Sequence, residues 1–257
     1  MLILLPPSEG KTTPERGNRL QLAELSFAEL TDTRMSTIHA ITALSAKPAK
    51  ARKALGLGPT QDHLIELNLA VETSPTAPAI EVYTGVLYEA LDFASLPARA
   101  RNRASERLAI ASALFGLLRP TDRIPAYRLS ADTSLPGLPT LQELWRQSIP
   151  HIIAKEPGVI VDMRSGAYVK LGPLSPPTHD RAVTVRVLME KAGKRTTISH
   201  HNKATKGLIA RSLLASNKTP RTIDGLEEQL AQAGFRTELN DGPRGQAGFL
   251  DVILTVT

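Results

Sequence analysis

The chain begins with a short apolar run that two prolines end, and this run limits what the chain can fold into more than any other feature. Leu2-Ile3-Leu4-Leu5 stands directly before Pro6-Pro7. An unbroken apolar run of this length indicates a buried strand, and proline ends it because proline has no amide hydrogen for the sheet. A second run, Val159-Ile160-Val161, ends at Asp162. Both runs predict buried strands of a sheet.

The rest of the chain alternates between helical and strand patterns. A helical segment is expected at about residues 32–72, with separate helices at 32–45, from 49 to the Gly56–Gly58 pair, and from Pro59-Thr60 to 72. Further helices are predicted at 86–93, 97–106, 140–149, 203–216 and 222–233, and strands at 107–111, 182–190, 196–199, 235–238 and 249–255. This order predicts one mixed α/β domain over residues 1–257, with a central mixed sheet and a helical insertion.

The charge balance favours a polyanionic partner. Lys and Arg number 31 against 25 Asp and Glu, which gives a formal net charge of +6. The chain has no cysteine, which excludes disulfides and thiolate metal sites, and only 4% aromatic residues, too few for a broad stacking surface. No apolar run approaches the length of about 18 residues that a membrane helix needs. We expect a cytoplasmic protein with no metal or cofactor, and the sequence leaves its oligomeric state open.

Four predicted strand ends or helix starts carry charged residues, at 6–12, 116–120, 162–168 and 199–207. Ligands of open α/β sheets lie where such loops converge, so the four segments predict an anion-binding cleft. Two alternatives stay open: Asp162 as a helix cap, and Lys203 with Lys206 as an ordinary solvated stripe. The candidate catalytic residues are Glu9, Lys11, Asp162 and Arg164, and the candidate phosphate-binding residues of the cleft are Arg119, Arg128, Lys203 and Lys206.

A second candidate site lies in the helical insertion. Leu55-Gly56-Leu57-Gly58-Pro59-Thr60 has the form of a helix-hairpin-helix turn, whose glycines expose amides at the start of the next helix to a DNA phosphate. Lys50 and Lys53 lie beside it and add charge for contact with the DNA backbone. The alternative is a plain joint between two helices, closed by glycine.

Several of these segments resemble the YaaA peroxide-stress protein family in its actinobacterial form. The resemblance is carried by Pro7-Ser8-Glu9-Gly10-Lys11-Thr12, Tyr83-Thr84-Gly85, Ala113 to Pro120 with Asp122, Tyr127 and Arg128, Asp162 to Tyr168, and Ser199 to Gly207. It runs from the first strand into the last third of the chain. The sequence departs from the family pattern at Glu9-Gly10, before the lysine, and in the extra charge of Asp162-Met163-Arg164-Ser165.

The resemblance implies a single-domain mixed fold with a helix-hairpin-helix element and a positively charged cleft. It also implies DNA binding and a role in limiting oxidative damage by hydrogen peroxide, linked to intracellular iron. The leading hypothesis is therefore a DNA-binding protein with little sequence preference. The alternative is an enzyme that acts on a nucleotide, nucleobase or damaged nucleic acid, with Glu9 or Asp162 as the base. A third possibility is a basic protein whose partner is another protein.

Overall fold

The computed structural model describes residues 1–197 and 200–255 and shows a mixed α/β protein with a central mixed sheet. Its strands are β1 (Leu2–Leu5), β2 (Ala77–Pro78), β3 (Leu108–Ser112), β4 (Gly116–Leu118), β5 (Arg123–Ile124), β6 (Ile160–Asp162), β7 (Ala182–Lys191), β8 (Lys194–Thr197), β9 (Thr237–Asn240) and β10 (Gly248–Thr255). Its helices are α1 (Thr31–Ser45), α2 (Pro48–Leu55), α3 (His63–Leu69), α4 (Ala79–Val82), α5 (Val86–Leu91), α6 (Ala98–Arg107), α7 (Leu141–Arg146), α8 (Ile149–Lys155), α9 (Gly166–Leu171), α10 (His200–Ala215) and α11 (Ile223–Gln232).

The centre of the sheet is parallel and its edges are antiparallel. The eight-stranded sheet has the order β4-β3-β1-β6-β7-β10-β9, with β8 paired to β7. Strands β3, β1, β6, β7 and β10 run parallel, whereas β4 and β9 pair antiparallel at the two edges. All four residues of β1 are buried. The opening apolar run is an interior strand of the sheet, and it can be apolar throughout because a parallel strand covered on both faces needs no polar side.

The connections place a crevice between β1 and β6. From β1 the chain proceeds to its neighbour β3 on one side, and from β6 it proceeds to β7 on the other side. Where the connections of adjacent parallel strands diverge in this way, the carboxyl ends of the strands leave an open crevice between them. The loops that begin at Pro6 and Met163 form its two sides.

The helical segment predicted at 32–72 is confirmed, with one boundary moved. Its helices contribute Ile38, Ile41 and Leu55 to the same buried cluster as the central strands. The third helix starts at His63 rather than at Pro59-Thr60, and Thr60 does not cap it, because the residue before the helix is Asp62.

The helix predicted at 140–149 is two helices, α7 and α8. Thr140 and Glu143 form a reciprocal capping box at the start of α7. Pro150 lies in the first turn of α8, where its missing amide hydrogen costs nothing because that amide has no helical acceptor. The segment that the periodicity predicted as a single helix is therefore two helices, the second of which has proline in its first turn.

The predicted hairpin of β7 and β8 is confirmed, and its turn fits its sequence. Ala192 and Gly193 both have positive φ, 48° and 75°, as a two-residue turn matched to the strand twist requires. The second strand is Lys194–Thr197 rather than 196–199. The predicted end of that strand at Ser199, which also begins the charged segment 199–207, lies outside the described residues.

Helices α5 and α10 pack closely because Gly207 has no side chain. A Cβ atom at this position would clash with the carbonyl oxygen of Leu87 and lie 2.8 Å from the Cβ of Ala90. The contact holds α5 against the helix that carries Lys203 and Lys206. Both helices border the crevice, so Gly207 fixes the distance between two of its walls.

We predict that Gly207→Ala lowers the free energy of unfolding by about 3 kcal/mol, because the methyl group forces the two helices apart. Gly166→Ala is the matched control, since no heavy atom lies within 4 Å of a Cβ built there. Urea unfolding of both variants measures the difference. Equal stability of Gly207→Ala and the wild type would contradict the packing argument.

Candidate ligand-binding cavity

A cavity of about 840 Å³ occupies the crevice at the carboxyl ends of β1 and β6, beside the middle of β7. Its walls come from the loops after β1 and β6, from the middle of β7 and from the first turns of α5 and α10. The lining stretches are residues 6–10, 84–88, 130–132, 163–168 and 184–187, together with 202, 203 and 206. Three of the four charged segments seen in the sequence therefore meet here.

A buried ion pair closes the end of β6. Asp162 is 1% exposed and Arg164 is 3% exposed. The Arg164 guanidinium donates to both carboxylate oxygens of Asp162, at 2.9 and 2.7 Å, and its third nitrogen donates to the Gly172 carbonyl at 2.9 Å. The Arg164 amide also donates to Asp162. Asp162 therefore holds the turn after the strand, and both of its carboxylate oxygens accept from Arg164.

Lys206 forms part of the cavity floor. It is 8% exposed, and its ammonium donates to the Met163 carbonyl at 3.0 Å. The Met163 amide in turn donates to Leu4 of β1 at 2.9 Å. Burial lowers the pKa of Lys206, and the nearby Asp162 opposes that shift. Lys203 is exposed at the rim, so the description as a solvated stripe suits Lys203 but not Lys206.

Lys11 is half-buried behind the loop after β1. Its ammonium donates to the carbonyls of Ser8 and Glu9, at 3.0 and 3.3 Å, and lies 4.4 Å from the ring centre of Tyr127 and 5.4 Å from that of Tyr83. Burial, and then the charge of Arg128, lower the pKa of Lys11 to about 7, while Glu9 opposes the shift. Lys11 therefore changes charge near neutral pH, and Ser8 and Glu9 separate it from the cavity that they line.

The rim beside Lys11 carries both charges. Arg128 donates to the carboxylate of Glu9 at 3.4 Å, and the Glu9 side chain is 83% exposed. Asn68 of α3 fixes the backbone of Arg128 by accepting from its amide and donating to its carbonyl. The helical insertion thus positions part of the cavity rim, although it lies far away in sequence.

Several residues of this region were absent from the sequence prediction. Tyr83, Tyr127 and Ser112 join their hydroxyls by hydrogen bonds of 2.8 and 2.7 Å beneath Lys11. The two tyrosines stood within the segments that resemble the peroxide-stress family, and that resemblance was the signal that could have found them. Nothing in the sequence marked Asn68, since its role depends on a contact across 60 residues.

Arg119 lies at the opposite end of the sheet, so its expected place in the cleft is wrong. Its guanidinium donates to the carbonyl of Leu108, the first residue of β3, and pairs with Glu156, which precedes β6. Strand β4 runs antiparallel to β3, so the residue after β4 emerges at the amino end of the parallel strands. A loop that follows an antiparallel edge strand cannot join the carboxyl-end loops.

The glycine turn of the insertion differs from the expected arrangement of exposed amides. Gly56 has a φ of 63° and ends α2, while Leu57 donates back to Arg52 at 2.9 Å. The Gly58 amide donates to the side chain of Gln61 at 2.8 Å, so it is already occupied. Lys50 and Lys53 remain exposed on α2.

The described residues hold neither a metal-ligand cluster nor a membrane-spanning helix. Within 1–197 and 200–255, no group of three or more His, Cys, Asp or Glu side chains could hold a metal ion. In the same part of the chain, no helix has the length and apolar character needed to cross a membrane.

Comparison with known proteins decides the family. A family model described as peroxide stress protein YaaA matches residues 1–240. The chain belongs to the YaaA peroxide-stress family. A UPF0246 protein of Streptomyces coelicolor is 41% identical over 258 residues, covering 99% of this chain and 98% of the relative. A UPF0246 protein of Corynebacterium glutamicum is 44% identical over 246 residues, covering 93% and 96%. The actinobacterial form of the YaaA family suggested by the sequence agrees with these relatives.

We predict that Lys11→Met changes how the stability of this YaaA-family protein depends on pH. The folded state lowers the pKa of Lys11 from its ordinary 10.5 to about 7, so the unfolded chain binds more protons between these values. The cost of burying the charged ammonium should therefore lower the free energy of unfolding of the wild type in full below pH 7, and this cost should disappear as the pH rises toward 10. The stability gained by Lys11→Met over the wild type should be largest at pH 7 and shrink by pH 9.5.

Urea unfolding at several pH values measures this difference, with the exposed Lys53→Met as the control. A difference between Lys11→Met and the wild type that does not vary from pH 7 to 9.5 would show that Lys11 keeps an ordinary pKa in the folded protein.

Proposed function

We propose that this protein acts in the peroxide-stress response by binding DNA with little sequence preference, through the lysines of α2. The observation that carries the proposal is the set of exposed ammonium groups at Lys47, Lys50 and Lys53. Lys50 and Lys53 are three residues apart in α2 and so lie on the same side of the helix, and Lys47 directly precedes its first residue. Within the described residues none of them forms an ion pair, whereas the neighbouring Arg52 pairs with Asp62.

Free lysines in a row suit the DNA backbone, because each ammonium can replace a counterion condensed on a phosphate. The net charge of +6 supports a polyanionic partner. Contacts of this kind are made to phosphates rather than base edges, so they carry little sequence information. Protein bound along DNA in this way would limit the access of oxidants to it, in keeping with the peroxide-stress family.

We predict that Lys50→Glu/Lys53→Glu weakens binding to a DNA duplex by about tenfold or more at about 0.1 M salt. The slope of log affinity against log salt should fall by about 1 for each phosphate that the variant no longer neutralises. Lys194→Glu/Lys218→Glu is the matched control, because these two lysines are exposed away from α2 and outside any ion pair of the described residues. A salt-series fluorescence titration measures both quantities.

Two results would contradict the proposal: no binding of the wild type at low salt, or equal losses of affinity in the α2 variant and in its control. Equal losses would mean that only the net charge matters, and α2 would then not be the contact surface.

A second candidate function is an enzyme that acts on a nucleotide, nucleobase or damaged nucleic acid in the cavity. The specific observation is Lys11, whose pKa burial lowers to about 7 and whose ammonium lies directly behind Ser8 and Glu9 in the cavity wall. A neutral amine can take a proton or attack a carbonyl, which a charged lysine cannot do. The sequence suggested Glu9 or Asp162 as the base. Asp162 is bound to Arg164, so Lys11 takes its place in this candidate.

If the protein turns over such a substrate, the rate should rise with pH to a plateau, with its midpoint near 7, because the neutral amine is the active form. Lys11→Arg keeps the charge but removes the titration, so we expect it to abolish turnover while leaving the fold intact. Release of nucleobase or phosphate from damaged oligonucleotides measures the rate. A rate that Lys11→Arg leaves unchanged would exclude Lys11 from the chemistry.

A further inference from the structure

We propose that the cavity binds a nucleoside monophosphate, with its phosphate against Lys206 on the floor and its base at the rim beside Glu9 and Asp132. The inference names the ligand of the cavity considered in the second candidate function. It does not depend on DNA binding by α2, and it needs no chemical step.

The floor offers one buried positive charge for an anion. The Lys206 ammonium has three N–H donors, and within the described residues its acceptor is the Met163 carbonyl. The neighbouring guanidinium of Arg164 is held by Asp162 and Gly172. On the β7 side, Arg186 pairs with Asp251 through two hydrogen bonds of 2.6 and 2.7 Å. Lys206 therefore has donors to spare where the two arginines are engaged.

The rim carries two exposed carboxylates beside its basic side chains. Glu9 and Asp132 are exposed at the mouth, where one oxygen of Glu9 accepts from Arg128 and one oxygen of Asp132 accepts from Gln142, each at 3.4 Å, so each carboxylate keeps a second oxygen. Both lie close enough to Tyr168 to raise the pKa of its phenol further above the value that burial produces. A carboxylate accepts hydrogen bonds from an amino group, and a tyrosine ring packs against the flat face of a base. The rim thus fits a base that carries an exocyclic amino group.

The first turns of α10 add a third contact between floor and rim. Asn202 lies four residues before Lys206 and so on the same side of the helix, facing the cavity. Its side-chain oxygen is buried and accepts no hydrogen bond within the described part of the chain. A buried acceptor without a donor is unfavourable. A sugar hydroxyl between phosphate and base is a donor of the right kind, after a small rotation of the amide.

The dimensions agree with such a ligand. A cavity of about 840 Å³ lies within the range of small-molecule sites, about 300–1,000 Å³. Because the anion site is on the floor and the carboxylates are at the mouth, the ligand would bind with its phosphate at the floor and its base at the mouth. The same chemistry belongs to a free nucleotide and to the 5′-phosphorylated end of a DNA strand, and the experiment separates these sources.

The test is isothermal titration calorimetry of the full chain with dAMP, dTMP and deoxyadenosine. We expect dAMP to bind, dTMP to bind more weakly because thymine has no amino group, and deoxyadenosine to bind about tenfold or more weakly because it has no phosphate. Lys206→Met should weaken dAMP binding by about tenfold to a hundredfold, whereas the exposed Lys218→Met should leave it unchanged. Asp132→Asn should reduce the preference for dAMP over dTMP.

Short oligonucleotides with and without a 5′-phosphate distinguish the two sources. Preference for the phosphorylated oligonucleotide, lost in Lys206→Met, assigns the cavity to a strand end, and binding of dAMP alone assigns it to a free nucleotide.

Circular dichroism checks that Lys206→Met is folded, and Lys203→Met at the rim is a second variant should it not be. Absence of dAMP binding, or equal binding of dAMP and deoxyadenosine, overturns the inference. Lys50→Glu/Lys53→Glu should not alter dAMP affinity, so failure of the cavity and failure of the α2 contact are seen separately.

Discussion

The buried ion pair of Asp162 and Arg164 is the interaction on which the rest of the cavity depends. It locks the turn after β6, and through the Gly172 carbonyl it fixes the end of α9. With the turn held, Met163 donates to β1 and accepts from Lys206. Removing one partner would leave the other charge buried without compensation, which is far more costly than losing an exposed pair. Two charges at a strand end that look reactive in sequence thus hold the site in shape.

A division between arginine and lysine runs through the molecule. Arg34, Arg119, Arg164 and Arg186 each donate to carbonyls or carboxylates that fix strands and loops. The guanidinium suits this task because its planar fork makes several directed hydrogen bonds at once. The lysines of α2 and the rim remain exposed, and Lys206 keeps donors to spare. The net positive charge seen in composition is therefore divided between structural arginines and lysines that can meet a ligand.

The sequence predicted the elements whose signal is local. Buried strands were predicted at Leu2–Leu5 and at Val159–Val161 because an unbroken apolar run suits a parallel strand, and the structure has them at Leu2–Leu5 and Ile160–Asp162. Helix α1 was predicted to within one residue. Arg119 was misplaced because a charged loop after a strand looks the same whether that strand is parallel or antiparallel. The exposed amide of Gly58 was expected because no local pattern reveals the Gln61 side chain that occupies it.

The sequence could not predict the pKa shifts of half-buried Lys11 and buried Lys206, for a different reason. A lysine pKa depends on how much water the fold removes and on which charges it brings near, and for Lys11 these are Arg128 and Glu9. Burying an ammonium with few partners opposes folding, whereas an exposed lysine costs nothing. Removing the ammonium groups of Lys11 and Lys206 from water therefore lowers the free energy of unfolding, and substitution by methionine would remove this cost. Groups of that kind cluster at functional sites, so they point to the cavity more strongly than the net charge points to any partner.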